Sequence, residues 1–171
     1  VLVAIGRKPE SQNIGLENTS VELDEKGFVI VDEQQRTSDE RIFAVGDVIG
    51  GLMLAHTAGQ QGRVAAMTIS GEDMVYDQDK DSGVIFTRPE AGFVGLSVEQ
   101  AKAKGIDAVE VKVPMNIDAK AMINKEEHGM IKLVADKKTQ RVIGVHFLAD
   151  HAERSDRPHP NRMAVQPDPG G

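Results

Sequence analysis

The chain has 171 residues, of which 40% are apolar, 27% charged and only 4% aromatic, a globular composition with an aliphatic core and room for one ordinary domain or two small ones. A formal charge of −7 leaves no basic surplus to neutralise phosphates and argues against nucleic acid as a partner. There is no cysteine, which excludes disulfides, thiolate metal sites and a thiol nucleophile within these residues and suits a reducing compartment; the expectation is cytoplasmic. The longest apolar runs are too short to cross a bilayer, and no secretory signal pattern opens the chain.

Residues 1–5 read as a buried strand, closed by Gly6-Arg7 and Pro9. A domain seldom begins mid-strand. At the other end, "ERSDRPHPNRMAVQPDPGG" is dense in Pro, Arg, Asp and Gly without periodicity. The expectation is therefore a fragment, with a disordered or non-native tail over residues 153–171. Residues 11–19 read as loop. Residues 21–23 and 28–31 flank "DEKG", which has the turn chemistry of a hairpin, and "DEQQRTSDE" reads as polar loop. Residues 42–45 form the next apolar strand and stop at Gly46-Asp47.

From Leu52 onward, Met53, Leu54, Ala58, Val64, Ala65, Met67 and Ile69 predict an amphipathic helix of roughly 17 residues. Gly59 and Gly62 weaken it by about 1 kcal/mol each relative to Ala, and Gly71 ends it. "EDMVYDQDKDSG" then turns acidic and polar, a solvated linker with a domain boundary at residues 77–83. Strands follow at 84–87 and 93–95. Ser97 and Gln100 have capping-box spacing ahead of a helix over 98–104 that Gly105 stops. Residues 108–113 alternate, with Val109, Val111 and Val113 on one face and Glu110 and Lys112 on the other. Residues 130–135 and 142–148 make a hairpin across "DKKTQR". The fold class expected is α/β followed by α+β.

The Gly46-Asp47 step has two readings. It is a turn, where Asp is common and glycine supplies positive φ. Or it is a ligand site, since ligands of α/β folds gather at strand carboxyl ends and helix N-termini, where a carboxylate can accept from sugar-alcohol hydroxyls. The histidines His128, His146 and His151 lack metal-ligand spacing, and Asp77, Asp79 and Asp81 lack the glycine and distal Glu of a calcium loop, so no metal site is expected.

Four stretches, "VLVAIGRKP", "GFVIVDEQQRTSDERIFAVGDVIGGLMLAH", "VIFTRPEAGFVGLSVEQAKAKG" and "HGMIKLVADKKTQRVIGVHFLADHA", stand in this order over residues 1–152. Together they closely resemble the pyridine nucleotide–disulfide oxidoreductases, the flavoenzyme family of dihydrolipoyl dehydrogenase, mercuric reductase and glutathione reductase. The resemblance implies the end of an FAD/NAD(P)-binding Rossmann-like domain plus the start of a dimerisation domain. It divides the chain into residues 1–10 at the end of an NAD(P)-binding domain, 11–76 as a returning FAD-domain segment, 77–83 as linker and 84–152 as a partial dimerisation domain. The implied cofactors are FAD and NAD or NADP, and the implied partner is a second copy through residues 84–152, with a 2-oxo acid dehydrogenase complex in the dihydrolipoyl branch.

The resemblance also implies residue roles. Gly6 matches the glycine that approaches the nicotinamide nucleotide, and Asp47 the aspartate that hydrogen-bonds the ribityl chain. Met53, Leu54, Ala55 and His56 match the stretch whose backbone lies along the isoalloxazine; the His56 side chain either packs or takes part. No catalytic residue is expected within the chain: it lacks the Gly-rich Rossmann turn and the redox-active cysteine pair, and His159-Pro160 has neither a preceding helix nor a following Glu to stand for the family's His–Glu dyad. "GDVIGGLMLAH" looks like the dihydrolipoyl dehydrogenase form of the flavin motif; mercuric reductase is the alternative branch, and a non-catalytic dimerisation or interaction module the alternative class. The 171-residue chain alone is expected to be colourless and without diaphorase activity.

Overall fold

The computed structural model describes residues 1–124 and 129–149. They fall into two compact units, divided in the sequence between Asp77 and Gln78. His128, His151, His159 and Pro160, together with the tail, lie outside the described residues.

The first unit has one long helix, α1 (Ala55–Ile69), two short 3-10 turns at Leu16–Asn18 and Gly46–Ile49, and otherwise loops and single bridges. The "DEKG" hairpin forms at the scale of one bridge, Leu23 to Val29, because the Asp24 carboxylate accepts from the amides of Lys26 and Phe28 at 2.8 and 2.9 Å and tightens the turn. The Asp32 carboxylate does the same for the amides of Gln34 and Arg36, both at 2.9 Å. Residues 42–45 are half-buried rather than a sheet strand, held by an isolated Arg36–Phe43 bridge. Residues 1–5 correct the reading of a buried strand: Val1, Leu2, Val3 and Ile5 are exposed, and no described segment pairs with them. An apolar run becomes a strand only where another backbone takes its hydrogen bonds.

α1 begins three residues later than its apolar pattern suggests, and its buried stripe is Thr57, Gln61, Val64, Ala65 and Thr68, while Ile69 is exposed. The spacing i, i+4, i+7, i+8, i+11 is helical, but three of the five residues are polar, so hydropathy alone picks out only Val64 and Ala65 of the buried stripe.

The second unit is built on a five-stranded antiparallel sheet of order β1-β2-β5-β4-β3, from β1 (Ser82–Ile85), β2 (Glu90–Gly95), β3 (Ala108–Pro114), β4 (Met130–Asp136) and β5 (Val142–Ala149). Between β2 and β3 lies α2 (Val98–Ala103), opened by a complete capping box: Ser97 Oγ accepts from the Gln100 amide and Gln100 Oε1 from the Ser97 amide. Leu96, Val98, Ala101, Ala108 and Val134 form the buried cluster, with Ile106 and Ile143 packed against it. The β4–β5 turn is pinned by Asp136, which accepts from the Lys138 amide at 2.8 Å and the Thr139 hydroxyl at 2.7 Å. These bonds, the hydroxyl first, hold its carboxyl below the ordinary range. Asp81 and Ser82, read from sequence as linker, are buried at the start of the sheet.

One further helix, α3 (Ala119–Asn124), has no counterpart in the sequence reading; the Asp118 carboxylate caps it by accepting from the Ala121 amide at 2.8 Å. On the Val109/Val111/Val113 face of β3, Val109 and Val111 are exposed and Val113 half-buried, and across the ladder the first two stand opposite half-buried Ala135 and Leu133.

Candidate functional site

The turn at Gly46–Ile49 sits where the half-buried residues 42–45 end, and its geometry is set by contacts with α1. Gly46 has φ 76° and is buried, its amide donates to Gln61 Oε1 at 2.7 Å, and a Cβ there would come within 3.3 Å of the Ala58 methyl group. The left-handed backbone favours glycine here, and the close helix leaves little slack for a side chain. The turn is held from its other side by the Val29 amide, which donates to the Val48 carbonyl at 2.9 Å. Gly50 follows with φ 79°, packed under the Phe28 ring.

Asp47 projects from this turn. Its carboxylate is more than half exposed and accepts from Arg7 Nη1 at 3.2 Å. The same Arg7 nitrogen donates to the Met53 carbonyl at 3.0 Å. Met53 has φ 52°, in the left-handed region that a side chain disfavours. Leu54 is extended and caps α1 without a side-chain bond, and Ala55 and His56 are exposed in the first helical turn. An α-helix carries about half a positive charge at this end. Gly6, next to Arg7, is exposed, has φ 141°, and has open space where a Cβ would be.

Asp47 and Met53 are thus brought together through Arg7, and Leu54, Ala55 and His56 continue from Met53 into the helix. Gly6 reaches the group only through its neighbour. Two participants escape the sequence reading. Arg7 reads there as the end of a strand, and its partners lie 40 and 46 residues away. Gln61 is not singled out by the sequence, although it is 3% exposed and fixes the Gly46 amide. A polar residue one helical turn before Ala65 on the Thr57 stripe is the only local signal for it.

The arrangement offers a hydrogen-bond acceptor with one oxygen, Oδ1, unengaged among the described residues, beside a guanidinium and a helix N-terminus. That set suits a ligand with hydroxyl groups and an electron-rich end. No group of three or more His, Asp or Glu side chains able to hold a metal ion occurs among the described residues. Elsewhere in this unit, Asp39 is a structural carboxylate. It is 6% exposed and accepts from Arg41 Nε and Nη2, both at 3.2 Å, and from the Arg41 amide at 3.1 Å. The Arg41 side chain, first among these, lowers its pKa to about 2.

Two family models match the chain. One, described as pyridine nucleotide-disulphide oxidoreductase, matches residues 1–62, and the other, the pyridine nucleotide-disulphide oxidoreductase dimerisation domain, matches residues 82–165. The chain is 38% identical over 152 residues to the mitochondrial dihydrolipoyl dehydrogenase of Caenorhabditis elegans, covering 89% of this chain and 31% of that protein. It is 42% identical over 144 residues to the dihydrolipoyl dehydrogenase of Vibrio cholerae, covering 84% and 30%. Among solved structures it is similar to LpdA from Mycobacterium tuberculosis, with a TM-score of 0.81 at 31% identity over 89% of this chain and 33% of that one. It is also similar to the HOCl-induced flavoprotein disulfide reductase RclA from Escherichia coli, with a TM-score of 0.74 at 29% identity over 88% and 35%. The chain therefore spans about a third of the length of the relatives it matches.

Proposed function

The chain belongs to the pyridine nucleotide-disulphide oxidoreductase family, and from that premise we propose that it is part of an FAD-dependent dihydrolipoyl dehydrogenase, which oxidises dihydrolipoamide with NAD. The observation that carries the flavin assignment is the cluster of Asp47, the Met53 carbonyl and the start of α1. Its donor and acceptor chemistry fits a flavin dinucleotide: a carboxylate with a free oxygen for a ribityl hydroxyl, and a helix N-terminus for the electron-rich side of the ring. The names of the relatives favour the dihydrolipoyl branch over mercuric reductase.

When bound, a flavin supplies two-electron transfer between nicotinamide and a dithiol. The residues of this chain bind and orient. Asp47 would hold the sugar-alcohol arm by accepting a hydrogen bond from one of its hydroxyls. Backbone from Met53 through His56 would border the ring, where the helix end would favour negative charge by about 0.3–1 kcal/mol, more where water is excluded. Gly6, without a side chain, leaves room for the nicotinamide nucleotide. The thiol chemistry is carried by residues of the complete enzyme outside this chain, which has no cysteine. We assign residues 1–10 to the end of the nicotinamide domain, 11–76 to the flavin domain and 84–152 to the dimerisation domain. A second copy docks through the last of these, where Val109 and Val111 lie exposed on one sheet face. A 2-oxo acid dehydrogenase complex is the proposed larger partner, and the cytoplasm the proposed compartment.

The test is made on the complete enzyme containing this chain. Asp47→Asn keeps the shape and one acceptor but loses the charge; FAD affinity, followed by flavin fluorescence, is expected to fall about tenfold, the worth of a charge-assisted hydrogen bond. An Asp47→Asn enzyme that holds FAD as tightly as the parent overturns the flavin assignment. A complete enzyme that reduces Hg(II) with NADPH and leaves dihydrolipoamide untouched overturns the branch.

A further inference from the structure

Arg7 lies on neither of the stretches assigned to the flavin, yet it joins them. A single guanidinium nitrogen donates at 3.2 Å to Asp47 Oδ2 and at 3.0 Å to the Met53 carbonyl. Between those two acceptors the backbone runs through Gly50, Gly51 and Met53, all left-handed, with φ of 79°, 77° and 52°. Glycine visits that region freely, but Met53 incurs a steric cost there. The backbone bond within this loop, from the Gly50 amide to the Asp47 carbonyl at 3.2 Å, spans only its first half. The Arg7 bridge spans the whole loop and returns Met53, at the threshold of α1, to the Asp47 side chain.

We propose that Arg7 is a positioning residue for flavin: its guanidinium sets the carboxylate of Asp47 and the carbonyl of Met53 at a fixed separation, so that ribityl arm and ring meet a preformed edge. This rests on the flavin reading of the site. The geometry suits the task. A guanidinium is planar, always charged, and holds two oxygens from one nitrogen with little further loss of freedom. Only Oδ2 is used, so Oδ1 stays open for the ligand. The other two nitrogens of Arg7 have no partner among the described residues, so the bridge is not diverted to another protein acceptor. Both side chains of the ion pair are exposed, 66% and 57%, and an exposed pair adds little to folding stability. Its effect falls on the shape of the loop.

The experiment is a double-substitution cycle on the complete flavoprotein, with FAD itself as the probe, read as FAD dissociation constant by fluorescence and as melting temperature of the apoprotein. Arg7→Met is expected to weaken FAD about five- to tenfold in the parent, and less than about twofold when Asp47→Asn is already present, because contacting residues couple. The apoprotein melting temperature is expected to stay within about 2 °C. An equal loss in both backgrounds, or no loss in the parent, overturns the positioning role. A melting temperature that falls in step with affinity, or an Arg7→Met protein that does not fold, makes Arg7 a general stabiliser and overturns it as well. Failure of the underlying flavin reading shows separately, as an Asp47→Asn single variant with unchanged FAD affinity.

Discussion

In residues 1–77 the backbone is held by carboxylates: Asp24 and Asp32 each tie two amides of their own turns, and Asp39 grips Arg41. In the second unit, five strands hold one another through continuous antiparallel ladders, and α2 closes a cluster around Val134 and Ala101, each 0% exposed. Both units bury some surface, but by different means. A ladder distributes its stability over many neutral bonds that no pH change removes. Side-chain turns concentrate it in a few ionised groups and leave apolar residues such as Val1, Leu2 and Ile5 without cover. A cofactor bound at the proposed ligand site of the first unit would add to that unit's stability by mass action.

The contrast can be broken most sharply at Val134. Val134→Asp puts a carboxylate into the closed cluster, a burial costing more than about 3 kcal/mol. The expected result is loss of the sheet signal in far-ultraviolet circular dichroism while the fluorescence of Tyr76, the chain's single tyrosine, keeps its parent value. A sheet that melts as before would show that the cluster is not what holds the second unit.

Acid should act on the first unit in the opposite sense. The pKa of Asp39 is about 2 in the folded chain against an ordinary 3.8, lowered first by the Arg41 side chain and then by the Arg41 amide. The carboxylate therefore binds a proton more readily when unfolded, so its stabilisation is complete above pH 3.8 and is lost as pH falls through 2. Tyr76, whose amide donates to the Glu33 carbonyl at 2.8 Å, is expected to report a transition in that window, and Asp39→Asn to flatten it. A transition of unchanged size in the Asp39→Asn variant would place the acid sensitivity elsewhere.

The smallest effect on folding is expected at the outward valines. Val111 is 56% exposed, so Val111→Lys should change the stability of the second unit by less than about 0.5 kcal/mol. It should nevertheless shift the complete enzyme from dimer to monomer in sedimentation, because it sets a charge on the face proposed to meet its copy. A dimer of undiminished affinity would move the proposed interface off this face.

How far the sequence carries depends on the range of the interaction. The capping box of Ser97 and Gln100, the β4–β5 turn around Asp136 and the alternation of β3 were all legible, because each is decided within a few residues by hydrogen-bond spacing or side-chain period. The family motifs were legible as well, and the two family models match residues 1–62 and 82–165; the start of α1 was read three residues early. Tertiary structure alone decided that Gln61 of α1 is inward and Ile69 outward; that residues 1–5 find no strand partner among the described residues; that Val109 and Val111 of β3 are exposed; and that Arg7 closes the loop between Asp47 and Met53. The physical reason is common to all of them. Burial and long-range pairing are properties of what lies opposite a residue, and nothing in a run of neighbours says what the chain will bring there.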